Sequence, residues 1–390
     1  MNNKVVSLIM LITIFSLEIK AQKEILPPGI IINHIQKSTE KYIGSPSICI
    51  LSNGDYVASH DEFGPKSTEF RSAITHIFTS SDKGITWKKI STIDGQFWSN
   101  LFYHNKALYI MGTNKHHGNL IIRKSTDGGK TWTIPYDKTQ GLILEGEYHT
   151  APVPVLIHKG RIWRGVEYAT AKSTKWGERY SALILSIPEN ADLLNAKNWT
   201  RSSHLPFDST YLNGHFKAWL EGNAIATKDG KVVDVLRVHT PNLKDEYCAI
   251  VNVDKKGKKV SFERNSFFKM PGAAKKFTIR YDKSTNKYWS LVNYVLDEFK
   301  NLQASSVRNT LALVSSPDLK QWKIEKIILS HPDPIHHAFQ YVDWLFEDDD
   351  IIMVSRTAYD DEEGGAKSAH DANYLTFHRV EDFRYKNRFF

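Results

Sequence analysis

Cysteine is nearly absent, at 2 in 390 residues. That excludes a disulfide-stapled scaffold and a cysteine-rich zinc site. Cys49 and Cys248 each sit in an apolar, strand-like run (Ser47-Ile48-Cys49-Ile50 and Tyr247-Cys248-Ala249-Ile250), a setting that suits buried free thiols better than a bridge. Long apolar runs are missing beyond residue 22. The one run before it, residues 5–17, is too short to span a bilayer. It follows Lys4 and precedes Ala21-Gln22, which is the pattern of a secretory signal peptide over residues 1–22. An exported protein without a membrane span is therefore expected. Helical periodicity is scarce, with one short helix-like stretch near residues 192–196. No His-x-x-x-His or His-Glu-x-x-His motif occurs, so neither a metal nor a cofactor is indicated. No nucleic-acid-binding motif is present either.

What the chain does have is aromatic residues and positive charge. Aromatics reach 12%, including 10 Trp and 17 Tyr, which suits strands and sugar-stacking surfaces. The formal charge of +8 and pI of about 9.1 favour an anionic partner. Short apolar runs end again and again in turn chemistry, as at Ser52-Asn53-Gly54-Asp55, Lys159-Gly160, Lys228-Asp229-Gly230 and residues 347–350. Regularly spaced runs of this kind predict an all-β sandwich, barrel or propeller. No Pro/Ser-rich linker divides residues 23–390, which are read as a single catalytic domain and a monomer.

Internal repeats choose among these architectures. Ser80-Ser81-Asp82-Lys83-Gly84-Ile85-Thr86-Trp87 and Ser125-Thr126-Asp127-Gly128-Gly129-Lys130-Thr131-Trp132 share the pattern S-x-D-x-G-x-T-W. Ser315-Ser316-Pro317-Asp318-Leu319-Lys320-Gln321-Trp322 is a degenerate copy, and a fourth trace ends at Trp199. In such a turn Asp caps the loop amides, Gly takes the positive-φ position, and Trp packs beneath. The pattern resembles the Asp box of sialidase-like β-propellers, and the resemblance implies that the boxes are structural and lie away from the active face. At about 45 to 50 residues per blade, six to seven blades are expected, with seven favoured. The strand near residues 374–377 is expected to close the ring.

Sialidases use three arginines on the substrate carboxylate, an Asp acid, and a Tyr nucleophile helped by a Glu. The first Arg has no counterpart in Gly44-Ser45-Pro46-Ser47-Ile48, and His60 or Asp61 falls near the acid position. Glu221, Arg237 and Arg308 match the Glu and the other two arginines. The nucleophile region is read as Ala338-Phe339-Gln340, where Phe339 cannot attack an anomeric carbon. On this reading sialic acid hydrolysis is disfavoured.

The sequence also resembles propeller enzymes acting on rhamnose- and uronate-containing polysaccharides, namely ulvan lyases, uronate dehydratases and α-L-rhamnosidases. The matching segments include Gln96-Phe97-Trp98-Ser99, residues 148–154, Glu167-Tyr168, Ser355-Arg356-Thr357 and His370-Asp371. In the lyases, His and Tyr serve as acid and base while an Arg neutralises the uronate. That scheme points to His149 and His215 for proton transfer, with Tyr168 as a further candidate and Glu221 also in the catalytic set. Arg237 and Arg308 would hold the substrate carboxylate, and His116, His117, His337 and Arg356 would contact substrate. The expected reaction is β-elimination at a uronate of an anionic ulvan-type saccharide, by a lyase or a dehydratase. Two alternatives stay open. One is α-L-rhamnosidase-type hydrolysis with His60 as the catalytic group, and the other is a non-catalytic sugar-binding propeller.

Overall fold

The computed structural model describes residues 26–169, 173 and 175–385. The signal-peptide expectation for residues 1–22 lies outside them. Six antiparallel sheets of four or five strands follow one another along the chain. Their first strands are Tyr42–Ile43 with Ser47–Ile50, Phe97–His104, Tyr148–His149 with Leu156–His158, Ala218–Ala226, Thr278–Asp282 and Ala338–Glu347. These strands pack against one another around a central axis, and the sheets radiate from it as blades 1 to 6 of a β-propeller. Among the described residues the only helices are single 3₁₀ turns, one of them Ala196–Asn198 beside the expected helix-like stretch. None is long and apolar enough to cross a membrane.

The blade number is six, not the favoured seven. Dividing length by a standard blade overcounts because long rim loops absorb chain, notably 294–309 in blade 5 and 359–373 in blade 6. The closing strand also differs from expectation. Tyr374–Val380 is the third strand of blade 6, and its outer partner is the N-terminal strand Ile30–His34, with Ile30 opposite Phe377 and His34 opposite Tyr374. Both ends of the described chain thus zip into one blade, which closes the ring without a free seam.

The core is divided among the blade interfaces. Phe102, Met111 and Ile122 of blade 2 pack on Ile162, Val166 and Leu183 of blade 3. Val235 and Cys248 of blade 4 pack on Ile279, Tyr288 and Val314 of blade 5. The two cysteines are free and buried in different blades, and burial pushes the Cys49 thiol up to about 12.

The Asp boxes form the hairpins between third and fourth strands. In blade 1, Asp82 accepts from Ser80 Oγ at 2.8 Å and Thr86 N at 2.9 Å, while Trp87 Nε1 donates to Gly84 O at 3.1 Å. Asp127 and Trp132 repeat this in blade 2. The degenerate copy keeps the geometry in blade 5: Trp322 Nε1 donates to Leu319 O at 2.8 Å, with Leu319 at φ 69° where the others have glycine. Gly84 sits at φ 90°, and an added Cβ would lie 2.3 Å from the Phe377 ring of blade 6. Gly160 has φ 72° but open space around it. We therefore expect Gly160→Ala to cost about 1–2 kcal/mol from the left-handed backbone alone. Gly84→Ala should cost a further ~1–3 kcal/mol from overpacking. Urea unfolding of the two variants measures the difference.

Candidate active site

Three first strands carry an extra residue. Register shifts fall between Phe97 and Asn100, between Leu220 and Asn223, and between Gln340 and Asp343. Each bulge holds one bulky residue at positive φ: Trp98 at 48°, Glu221 at 55° and Tyr341 at 54°. Positive φ is costly for such side chains, and bulges re-aim a side chain out of the strand's alternation. All three lie near the starts of their strands. Arg237, Arg356 and Asp61 lie near the ends of the second strands Val232–His239, Asp350–Ala358 and Tyr56–Phe63. Both sets reach the same rim of the propeller, and the Asp boxes occupy the opposite rim.

The bulges of blades 4 and 6 meet. Tyr341 Oη donates to Glu221 Oε1 at 3.0 Å, and Arg237 Nη1 lies 3.1 Å from each Glu221 oxygen. Two more guanidinium groups flank the phenol ring, Arg308 at 5.7 Å and Arg356 at 5.2 Å from its centroid. Arg308 Nη1 donates to Gln340 Oε1 at 2.5 Å, and Arg356 donates to His370 O. Among the described residues, Arg237 Nε and Arg356 Nε are buried without a hydrogen-bond partner. Burial works against the charge of Glu221, but Arg237 foremost, with His149 and the hydrogen bonds, holds its carboxyl below the ordinary value. Burial and then Glu221 raise the Tyr341 phenol, against the pull of the three arginines. The result is a neutral phenol bonded to a carboxylate inside a cluster of excess positive charge.

Asp61 stands on blade 1. Its Oδ2 accepts from Trp98 N at 2.6 Å and its Oδ1 accepts from Ser45 N. Burial raises its carboxyl to about 7, although those two amides and Arg356 oppose the shift. His149 contributes from blade 3: its Nδ1 lies 2.8 Å from Glu167 Oε2, while Glu167 Oε1 accepts from Gly222 N at 3.0 Å. Glu167, fully buried, thus ties His149 to the bulge that carries Glu221.

The structure brings together Glu221, Arg237, Arg308 and Arg356, with His149 beside them. It places other candidates elsewhere. His60 is fully buried, with Nδ1 2.9 Å from Asp61 O and Nε2 2.9 Å from Asn33. Burial and then His76 lower it to about 3. Neither ring nitrogen is free to meet a substrate, which corrects its reading as a catalytic group. Tyr168 lies on the other face of its strand from Glu167, stacked on Tyr148 at 4.6 Å and under Arg201. His215 stands on the turn before blade 4. His116 and His117 line the rim at blade 2. His337 is stacked on His331 at 3.5 Å, with Asp333 and Asp360 carboxylates each 3.4 Å away. Sequence reasoning missed Tyr341, and it quoted Trp98 and Glu167 in matching segments without giving either a role. Phe339 is buried in the core between blades 5 and 6, and the site tyrosine is two residues on, past the start of the bulge. Among the described residues no group of three or more His, Cys, Asp or Glu is placed to hold a metal ion.

No protein-family model matches this sequence, and no curated protein does. Solved structures are similar in fold. An α-L-arabinanase of Penicillium chrysogenum, solved with arabinobiose, matches with TM-score 0.57 and 13% identity over 92% of this chain and 99% of that one. The GH93 α-L-arabinofuranosidase of Fusarium graminearum matches with TM-score 0.58 and 12% identity, covering 90% and 96%. The Hadza microbial sialidase Hz136 matches with TM-score 0.58 and 10% identity, covering 90% and 68%. The fold is therefore that of the sialidase-like and arabinanase propellers. These findings correct the expected carbon–oxygen lyase. These three are named as glycoside hydrolases, and none of them is an ulvan lyase, dehydratase or rhamnosidase.

The Glu221–Arg237 pair is buried, so removing one partner strands the other. Arg237→Met should cost about 3–5 kcal/mol, and adding Glu221→Gln should recover part of that loss. A double-mutant cycle by urea unfolding checks this.

Proposed function

We propose that the protein is a retaining glycoside hydrolase acting on a saccharide whose terminal sugar bears a carboxylate. The observation that carries this reading is the Tyr341 phenol bonded to Glu221 at 3.0 Å between Arg237, Arg308 and Arg356. Most glycosidases use a carboxylate nucleophile, but sialidases use tyrosine. The reason is electrostatic: a carboxylate nucleophile repels an anionic sugar, whereas a neutral phenol does not. As the Tyr341 oxygen bonds to the anomeric carbon, Glu221 takes the phenol proton. Asp61 gives its proton to the departing oxygen, and the leaving group is expelled. Water then attacks the glycosyl-tyrosine with Asp61 as base, and the phenolate recovers its proton from Glu221. The spare N–H groups of Arg308 and Arg356, with Arg237, hold the sugar carboxylate. The positive formal charge and the fold shared with a sialidase support the same reading. Export and a monomeric state are kept as parts of the proposal.

The assay is release of 4-methylumbelliferone from a panel of glycosides of N-acetylneuraminic acid, 2-keto-3-deoxynononic acid, glucuronic acid and α-L-arabinofuranose. Turnover of an acidic glycoside is expected, and exclusive turnover of the arabinofuranoside would sink the acidic-sugar reading. Tyr341→Phe should abolish turnover, and intact-protein mass spectrometry of the wild type should show a glycosyl adduct on Tyr341.

Asp61 must hold its proton when the leaving oxygen departs. With its carboxyl at about 7, kcat/KM should fall as pH rises through that value. Asp61→Asn should flatten this limb and lower the rate ~10²–10⁴-fold on sugar leaving groups, with little loss on glycosyl fluorides, which need no acid. A pH profile that keeps its alkaline limb in Asp61→Asn assigns the proton to another group.

A further inference from the structure

Beside the phenol and carboxylate cluster runs a continuous line of rings that the reaction above does not use. Phe70, on the loop of blade 1, is 65% exposed and stacks on His116 at 4.6 Å. His116 lies 4.5 Å from the half-buried Trp98, and Trp98 lies 4.6 Å from His149. Trp176 follows at 6.4 Å from His149 and is 48% exposed. Three blades thus contribute one aromatic strip across the rim. Soluble proteins seldom leave several large rings in line and open to water without a ligand to cover them. Its chemistry differs from that of the neighbouring arginine cluster, because Phe70, Trp98 and Trp176 carry no charge. Rings of this kind bind apolar C–H faces.

The strip is anchored to the reacting atoms through Trp98. Its backbone amide holds Asp61 Oδ2 at 2.6 Å, and its φ of 48° is the strained conformation of the blade 2 bulge. Backbone strain in a bulky residue persists where the surroundings over-determine it, and such sites cluster where ligands bind. The bulge sets the indole among His116, His117 and His149, while the amide of the same residue holds the Asp61 carboxyl. A group that receives a proton from Asp61 therefore comes close to the residue that carries the indole.

We propose that Trp98, with Phe70 and Trp176 on either side of it, is the stacking platform of a second sugar subsite, which takes a neutral hexopyranose lying with its apolar C–H face on the indole. The assignment of that sugar as the leaving group rests on Asp61 being the acid, whereas the binding itself does not. The enzyme would then divide its substrate in two, with the charged sugar on the arginines and the neutral one on the aromatic strip.

Saturation-transfer NMR with methyl β-D-galactopyranoside and methyl β-D-glucopyranoside tests the platform without any turnover. For at least one of them, the ring protons of one face should receive the strongest transfer. Trp98→Gly is the decisive variant: glycine accepts the left-handed backbone, and the amide that holds Asp61 remains. It should weaken binding at least about tenfold, in keeping with the loss of one good ring contact. Phe70→Ala, at an exposed position, should weaken it too, and Tyr341→Phe should leave it unchanged. Absence of transfer from both sugars overturns the proposal. So does undiminished binding in Trp98→Gly, and so does loss of binding in Tyr341→Phe, which would place the sugar on the arginine cluster. Each of these results leaves the assay of Tyr341 as nucleophile unaffected, so the two readings fail separately.

Discussion

The site depends on one buried ion pair. Glu221 and Arg237 are both removed from water, 3% and 5% exposed, and neither charge is affordable alone. Arg237 spreads one Nη1 across both Glu221 oxygens, and one of those oxygens also takes the Tyr341 proton donor. Everything else at that rim is arranged around this pair. Glu167 fastens the bulge behind Glu221 through the Gly222 amide, and the same carboxylate orients His149. Arg308 and Arg356 then add positive charge that, among the described residues, no carboxylate in direct contact neutralises. That excess favours an anion at the rim.

The propeller supplies rigidity, and the bulges supply function. A regular first strand alternates its side chains between the two faces of its blade, so few of them point along the axis toward an open rim. An added residue breaks the alternation and turns one side chain upward. Blades 2, 4 and 6 each do this once, with Trp98, Glu221 and Tyr341. The strain of those three backbones is tolerated because the rest of each strand is locked by ladder hydrogen bonds and by interblade packing. Ring closure serves the same end. Blade 6 carries both Tyr341 and Arg356, and its outer strand is the N-terminal Ile30–His34, so a loosened N-terminus would loosen the blade that holds the phenol.

The fold was legible in the sequence, because the Asp-box hairpins are local: Asp82, Gly84 and Trp87 meet within a single turn. The blade number was not, since loop length and the reach of an N-terminal strand are decided by tertiary closure. The arginines were legible by local pattern, each lying in a regular strand or just before one, and Glu221 was legible from its neighbours Trp219-Leu220 and Gly222-Asn223 although it lies in a bulge. Tyr341 and Trp98 were not. The nucleophile region was read by motif as Ala338-Phe339-Gln340, and the bulge after Gln340, which no local pattern announces, puts the tyrosine two residues further on. His60 shows the converse error. Its place at the end of a strand near Asp61 suggested chemistry, but alternation turns it into the interface with blade 6, where Asn33 and Phe78 enclose it.

The missing first arginine is the most informative departure. Blade 1 offers Gly44 and Ser45 where that residue would stand, and Gly44 leaves no room for a side chain, since a Cβ there would collide with Asp61. The space belongs to the Asp61 carboxyl, which the Ser45 amide holds in place. The third guanidinium comes instead from blade 6, on Arg356, across the phenol ring from Arg308. Moving a cation from blade 1 to blade 6 keeps the charge count around Tyr341 but shifts its centre toward His370 and Phe63, which Arg356 also contacts. On the proposed reading, the sugar carboxylate is met from the blade 6 side rather than from blade 1.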